Sequence, residues 1–250
     1  MQVFKEQILL PSLKRQATLY VMLPKHYTKD EKYPLLLMHD GQNLFYDEEA
    51  SFGVSWGLND LYENESKKPI IIAGISCANG LDRLDEYNPF LSALKVGFGE
   101  TPRTTGGKGD QYLHDIQSDV LPYLYEVYSI DKTNITIGGS SMGGHISLYA
   151  SLMYPHVFKN AICLSNAFWI SEKDLVKFIQ KNRKKHYGAI YLDTGDSEDE
   201  HDFTYLKSND LVYQALKDKG LNPHYEIIKG GKHHESSWRN RIGKIIDQII

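Results

Sequence analysis

The sequence predicts one α/β domain over residues 1–250, with a mostly parallel central sheet, an N-terminal antiparallel hairpin and helices on both faces of the sheet. Three observations predict this fold class. Short apolar runs without alternation are bounded by turn residues, which is typical of strands buried on both faces. Segments with helical periodicity separate these runs from about residue 34 onward. The length of 250 residues suits one domain of this class.

The chain opens with a predicted β-hairpin, whose strands cover 7–10 and 17–23 on either side of a turn at Pro11 and Ser12. Further strands are predicted at 34–39, 70–75, 134–138, 161–164, 189–192 and 225–228. Helices are predicted at 110–128, 142–153, 172–182, 203–219 and 235–249, and Pro122 is expected to kink or divide the first of them. Residues 79–89 and 97–110 lack periodicity and are predicted to be long loops at the rim of a site.

Composition and charge exclude several classes of function. The formal net charge of −4 gives no basic footprint for a nucleic acid, and the cations at 181–185 are interpreted as a solvated helix end. No signal-peptide pattern or membrane-length apolar stretch is present. Cys77 and Cys163 lie in or beside apolar runs and are expected to be reduced. We therefore expect a cytoplasmic protein that acts on a small molecule, without a nucleic-acid or membrane partner; assembly into a homo-oligomer is left open.

Residues 139–143 have the sequence GSSMG and match the G-x-S-x-G pattern of a nucleophilic serine, with Ser141 at the centre. The pattern alone is weak evidence for a nucleophile, so the segments before and after it must support the assignment. An apolar strand leads into it and an amphipathic helix follows it. A sharp strand-to-helix turn exposes the serine hydroxyl at a helix N-terminus, and glycines let the neighbouring backbone approach closely. Ser141 is therefore the predicted nucleophile, and the alternative is a plain Gly-Ser turn.

A serine nucleophile needs a base, which is normally a histidine. Three histidines lie beyond the loop expected to carry the acid and the helix that follows it: His224, His233 and His234. His224 begins a predicted strand and is expected to be structural. The other two lie in a glycine loop between the last strand and the last helix, and we choose His233 with His234 as the alternative. Adjacent histidines point in different directions and no second ligand pair has suitable spacing, so no metal site is predicted.

The acid of such a triad orients the imidazole and stabilises its protonated form. It is expected on the loop after the strand at 189–192, where residues 193–200 have the sequence DTGDSEDE. Asp193 is predicted to cap a turn at the strand end, and residues 199–200 are interpreted as solvated charge. Asp196 and Glu198 both remain candidates for the acid.

The tetrahedral intermediate of acyl transfer needs two N–H donors. One is predicted to be the backbone N–H of Met142, and the other is expected from the loop at 39–45, HDGQNLF. The glycine-rich loop at 104–109 lacks a serine or threonine after its lysine and does not follow a strand, so nucleotide binding is not predicted.

Taken together, these segments resemble the "putative esterase" family of the α/β-hydrolase superfamily. The resemblance rests on HDGQNLF at 39–45, on Trp56, on Arg83 with Glu86 and Tyr87, on the serine motif, and on GGKHHESSW at 230–238. It covers nearly the whole chain. The family groups esterase D-like enzymes, feruloyl and acetyl-xylan esterases, siderophore esterases and mycolyltransferases.

The resemblance implies Ser141 as nucleophile and His233 as base. It implies the Gln42 N–H as the second oxyanion donor, by its position after the Asp-Gly pair. The family's D-x-G-x-x-[DE] pattern places Glu198 as the acid, and Asp196 stays the alternative because aspartate is more usual there. Arg83 and Glu86 are expected to form a structural ion pair.

We therefore expect a serine carboxylic-ester hydrolase that acts through an acyl-enzyme on a small acyl ester, either a short-chain ester, an acylated sugar or an aryl ester. Siderophore-ester hydrolysis and acyl transfer to an alcohol are alternatives. The non-enzyme alternative is a catalytically silent binding protein of the same fold. No cofactor is expected. Five aromatic residues near the expected mouth contact the ester or belong to the core: Phe45, Trp56, Tyr87, Phe168 and Trp169.

Overall fold

The computed structural model describes residues 1–63, 67–96, 99, 101–199 and 204–250. Within these residues the strands are β1 (Val3–Leu10), β2 (Arg15–Met22), β3 (Tyr33–His39), β4 (Ile71–Ile75), β5 (Leu91–Val96), β6 (Arg103–Gly106), β7 (Ile130–Ser140), β8 (Asn160–Leu164), β9 (Ile190–Gly195) and β10 (His224–Ile228). Eight of them form one sheet in the order β1-β2-β4-β3-β7-β8-β9-β10. Strands β5 and β6 form a small antiparallel sheet of their own.

The sheet is antiparallel at its N-terminal edge and parallel elsewhere. Strand β1 pairs antiparallel with β2, with Gln7 opposite Thr18, and β2 pairs antiparallel with β4. All other neighbours in this sheet pair in parallel. The predicted hairpin and the mostly parallel sheet are therefore confirmed, although the first hairpin strand begins at Val3, four residues before the predicted start.

Helices cover both faces of the sheet, as predicted. They are α1 (Leu58–Glu63), α2 (Gly80–Glu86), α3 (Gly109–Asp115), α4 (Leu121–Val127), α5 (Met142–Met153), α6 (Glu172–Lys181), α7 (Thr204–Asp218) and α8 (Glu235–Ile249). Side chains alternate between the two faces along a strand. Leu35 and Leu37 of β3 therefore pack in a core cluster with residues of α5, α6 and α7. Leu36 and Met38 pack in a second cluster, on the other face, with residues of α1 and α8. In the described part of the chain, no helix combines the length and apolarity needed to cross a bilayer.

The two segments predicted to be long loops contain regular structure, so that prediction is wrong in part. Residues 79–89 include α2, and residues 97–110 include β6 and the start of α3; residues 97, 98 and 100 lie outside the described residues. Helix α2 spans only seven residues, and Leu81 and Leu84 are its buried apolar positions. Such a short helix gives too few turns for a periodic signal.

The long helix predicted at 110–128 is divided into three parts. Helix α3 ends at Asp115, a π-helical segment covers 116–120, and α4 follows. Pro122 lies in the first turn of α4, directly after the π-helical segment, and the backbone is right-handed helical at Val120 and Leu121, where the two segments meet. The expected division thus takes the form of a change of helix type just before Pro122, across which the backbone stays helical.

The order of the strands brings the candidate residues to one edge of the sheet. Asp40 follows β3, Ser141 follows β7, Glu198 lies shortly after β9 and His233 shortly after β10. Since the carboxyl ends of neighbouring parallel strands meet at the same edge, four loops that are distant in sequence converge there.

Candidate active site

Ser141 occupies a strained turn between β7 and α5. Its backbone has φ 58° and ψ −121°, a region that non-glycine residues rarely adopt. A Cβ at Gly139 would lie 2.9 Å from the carbonyl carbon of Gly143, so the glycine is required where the two ends of the turn approach. The Ser141 N–H donates to the Leu164 carbonyl oxygen at 2.9 Å, which ties the turn to β8. This geometry leaves the serine half-buried at the N-terminus of α5.

His233 and Glu198 are joined by a hydrogen bond of 2.7 Å between Nδ1 and Oε2. The Glu198 side chain is 1% exposed and that of His233 is 26% exposed, so the carboxylate lies behind a ring that reaches the cavity. Burial opposes ionisation of Glu198, but hydrogen bonds with His233, the Ser165 hydroxyl and the Gly195 N–H hold the pKa of this carboxyl below its usual value. Glu198 therefore carries a negative charge at neutral pH.

The alternatives left open by the sequence have other partners. Oδ1 of Asp196 accepts the Gly230 N–H at 2.7 Å, and the residue is exposed. His234 accepts the Ser236 N–H on its Nδ1 at 3.2 Å and so caps α8. Asp193 is buried and is paired with Arg241 through both carboxylate oxygens. Of the loop acids, the structure brings Glu198 to His233.

Ser165 supports Glu198 and was not singled out from the sequence. Its hydroxyl donates to Oε1 of Glu198 at 2.5 Å and accepts the Trp238 Nε1–H at 2.8 Å. Arg241 also donates to this hydroxyl at 3.0 Å. Ser165 has a positive φ of 47°, a strained conformation that is held by these bonds and by its N–H bond to Asp193. A non-glycine residue at positive φ leaves no signature in the sequence.

The loop after β3 faces the serine turn. Asp40 begins it with a left-handed backbone (φ 55°), and a one-turn helix covers Gly41–Asn43. A Cβ at Gly41 would lie 2.6 Å from the carbonyl carbon of Gly74, so this position admits only glycine without movement of the loop. Gln42 lies within this turn and Met142 is the first residue of α5, and the first N–H groups of helices lack intrahelical partners. Both residues line the same cavity.

The ion pair expected between Arg83 and Glu86 is not formed, and that prediction is wrong. Arg83 donates to both carboxylate oxygens of Asp40 at 2.7 Å, and Glu86 is held by Arg15 in the same bidentate way at 2.6 Å. Both acids are buried, so each takes the cation that the tertiary fold places against it. Burial opposes the charge of Asp40, but the Arg83 guanidinium outweighs it and lowers the pKa of this carboxyl.

These loops enclose a cavity of about 1030 Å³. Among its lining residues are Asp40, Gln42, Ser141, Met142, Trp169, Tyr205, His233 and Glu235. Of the five aromatic residues expected near the mouth, only Trp169 lines this cavity within the described residues; the other four belong to the core, with exposures of 0–3%. Phe52, which was not anticipated, stands at the cavity with 71% of its surface exposed.

Comparison with known proteins gives one family and several structural relatives. Residues 11–248 match the family described as "Putative esterase". The chain is 28% identical over 229 residues to the uncharacterized protein YbbA of Bacillus subtilis, covering 88% of this chain and 86% of YbbA. A ferulic acid esterase superposes with a TM-score of 0.72 at 18% identity, covering 100% of this chain and 99% of that one. The enterobactin esterase FES from Shigella flexneri gives 0.75 at 16% identity, with 98% of this chain covering 59% of FES. The likeness confirms the predicted α/β-hydrolase fold.

Proposed function

The chain belongs to the putative esterase family and is a carboxylic-ester hydrolase, and on this premise we propose that it works as one domain through an acyl-enzyme formed on Ser141. The observation that carries the proposal is the 2.7 Å bond between His233 and Glu198 at the cavity lined by Ser141. A nucleophile, a base and an orienting acid are the three parts that acyl transfer by serine requires.

In the first half of the reaction, His233 takes the Ser141 hydroxyl proton as the oxygen attacks the ester carbonyl carbon. The N–H groups of Met142 and Gln42 donate to the oxyanion that forms. Glu198 holds the imidazole in the required tautomer and stabilises its positive charge. The intermediate collapses, the alcohol leaves with the proton from His233, and the acyl group stays on Ser141.

In the second half, water replaces the alcohol. His233 takes a proton from the water as its oxygen attacks the acyl carbonyl carbon, and the same two N–H groups bind the second oxyanion. Collapse of this intermediate returns the proton to Ser141 and releases the carboxylic acid. The competing outcome, transfer to an alcohol, would appear as an ester product when a sugar acceptor is added.

A fluorophosphonate probe tests the nucleophile. We expect one adduct on Ser141 in the folded protein, located by peptide mass spectrometry, and none in Ser141→Ala. Ser140→Ala is the matched control, because it changes the neighbouring serine and should keep the adduct. Absence of an adduct from folded wild-type protein, or undiminished ester hydrolysis by Ser141→Ala, contradicts the proposal.

The substrate that the cavity favours is a small acyl ester with an aryl group. The volume of about 1030 Å³ exceeds what a short acyl chain fills, and Phe52, Trp169 and Tyr205 offer aromatic surface. Two proteins of similar fold are in keeping with this: one is a ferulic acid esterase, and the other is FES, studied with 2,3-dihydroxy-N-benzoyl-serine.

A panel of nitrophenyl acetate, acetylated sugars and feruloyl esters separates the candidates. We expect the highest kcat/KM for feruloyl esters, and a preference for acetylated sugars would contradict the aryl assignment.

A cytoplasmic location completes the proposal. Cys77 and Cys163 are free thiols, the second fully buried, which is typical of proteins kept in a reducing compartment. Fractionation of the native host, followed by antibody detection, should find the protein with the cytoplasmic markers. Recovery in the secreted or envelope fraction would contradict this location.

A further inference from the structure

Tyr205 packs against the candidate base from the first turn of α7. Its ring centroid lies 4.7 Å from that of His233 and 6.1 Å from that of Trp169, the latter in an edge-on arrangement. Its backbone N–H donates to the Asp199 carboxylate at 3.2 Å, which fixes the start of the helix. Tyr205 also lines the cavity that Ser141 and His233 share. The ring is thus held against the His233 imidazole at this cavity.

The Tyr205 hydroxyl is an O–H donor at neutral pH. Burial raises the pKa of this phenol above its ordinary value, while the neighbouring Trp169 indole and Ser141 hydroxyl offset part of the rise. The buried Trp169 Nε1–H has no hydrogen-bond partner within the described residues. The phenol therefore keeps its own proton at the cavity that Ser141 also lines.

The alcohol must leave on this side of Ser141. His233 protonates the departing oxygen in the proposed mechanism, so that oxygen has to lie beside the imidazole. The Gln42 and Met142 N–H groups serve the carbonyl oxygen, and their loops are separate from α7. Tyr205 lines the cavity and packs its phenol ring against the His233 ring, with 4.7 Å between the ring centroids.

We propose that Tyr205 is a further catalytic residue, whose hydroxyl donates a hydrogen bond to the leaving alcohol oxygen as the ester bond breaks. The inference rests on the acyl-enzyme mechanism given above. When the tetrahedral intermediate collapses, the bond from carbon to the alcohol oxygen breaks and its electron pair stays on that oxygen. The proton of the His233 imidazolium moves to the oxygen, and Tyr205 keeps its proton while its bond stabilises the developing charge.

Leaving groups of different acidity test this role. Acetate esters of 4-nitrophenol, phenol, trifluoroethanol and ethanol share an acyl group, and only the less acidic alcohols need help to depart. For Tyr205→Phe we expect kcat/KM to fall by about tenfold to a hundredfold on ethyl acetate and by less than about threefold on 4-nitrophenyl acetate. The ratio of the two rates on one preparation cancels any inactive fraction of the enzyme.

Tyr213→Phe is the matched control, since Tyr213 lies on the same helix and pairs with Tyr225 at 4.9 Å, and it does not line the cavity. It should leave both rates unchanged. An equal loss by Tyr205→Phe on all four esters would show a packing role and overturn the inference while leaving the acyl-enzyme intact. Failure of the wild type on all four acetates and on feruloyl esters would instead remove the proposed function itself.

Discussion

Glu198 binds the imidazole of His233 across 35 residues of chain, while Asp196, two residues earlier, binds the backbone of the same loop at Gly230. The two acids therefore have different roles in this loop. Asp196 holds the loop from its exposed side, and the longer Glu198 side chain extends beneath it to Nδ1. A hydrogen bond at this nitrogen fixes the tautomer that leaves Nε2 free to accept a proton.

Replacement of the acid by its amide should separate the two candidates. Glu198→Gln removes the charge that stabilises the protonated imidazole, so we expect kcat to fall by about 10³-fold to 10⁴-fold with little change in KM. Asp196→Asn keeps an oxygen for the Gly230 N–H and should change kcat by less than about threefold. Steady-state rates on 4-nitrophenyl acetate measure both. A larger loss in Asp196→Asn than in Glu198→Gln would reverse the assignment.

Removal of the Arg83 guanidinium should destabilise the fold in a pH-dependent way. Arg83→Met leaves the buried Asp40 carboxylate without its cation, which we expect to cost about 2–4 kcal/mol of unfolding free energy at pH 7. In the wild type, the lowered pKa of Asp40 contributes stability above its unfolded value, and that contribution is lost as pH falls through the folded value. In the variant, burial raises the pKa of Asp40, so its ionisation weakens the fold.

The difference between wild type and Arg83→Met should therefore be largest near neutral pH and shrink below about pH 4. Urea denaturation at a series of pH values measures it. Lys177→Met is the control, because its pair with Asp174 is exposed on α6 and is worth less than about 0.5 kcal/mol. A constant difference across the pH range would show that lost packing, and not the charge of Asp40, causes the effect.

The loop after β3 should tolerate no side chain at Gly41. A Cβ there would lie 2.6 Å from the Gly74 carbonyl carbon and 2.8 Å from Cδ2 of Tyr20, so Gly41→Ala must displace the loop. Displacement moves the Gln42 N–H, and we expect kcat to fall by about 10²-fold. Gln42→Ala keeps that N–H and loses only side-chain contacts with Ser51 and Cys77, so its loss should stay within about fivefold. Equal losses would indicate that the side chain of Gln42, not its N–H, matters.

The Ser165 hydroxyl should matter for both stability and rate. Ser165→Ala removes a donor to Glu198 and leaves the buried Trp238 N–H without its acceptor, so we expect about 1–3 kcal/mol of lost stability and about a tenfold lower kcat. Ser151→Ala is the control, since that buried hydroxyl bonds only the Leu148 carbonyl oxygen within α5. It should leave kcat unchanged. Calorimetry and steady-state kinetics report the two effects, and an unchanged kcat in Ser165→Ala would limit its role to stability.

The sequence predicts the parts of the site that depend on local backbone conformation. The turn at Ser141 and the loop at His233 carry glycines because backbone segments approach closely there, and glycines are visible in a sequence. The choice between Asp196 and Glu198 depends on how far each side chain extends from one loop, which spacing alone does not specify. The structure resolves the contacts of that loop.

Partners that the tertiary fold brings together could not be predicted in the same way. Arg83 and Glu86 are three residues apart on α2, so a local pair was expected. Their actual partners, Asp40 and Arg15, are 43 and 71 residues distant. Ser165 and Tyr205 likewise contact Glu198 and His233 from distant parts of the chain, and they belong to no motif. Short α2 and the small β5–β6 sheet gave too few periodic positions to be predicted.

The approach of Gly195 to Gly231 joins the two loops that carry Glu198 and His233. A Cβ on Gly195 would lie 2.0 Å from the Gly231 carbonyl oxygen, and the Ser197 N–H donates to that oxygen at 3.1 Å. For protein engineering, these two loops are one structural unit. Replacement of either loop alone would create a steric clash between their backbones, whereas replacement of both together keeps their shared contact. Phe52 lines the cavity from a different segment, so substrate specificity can be varied there without a change in these two loops.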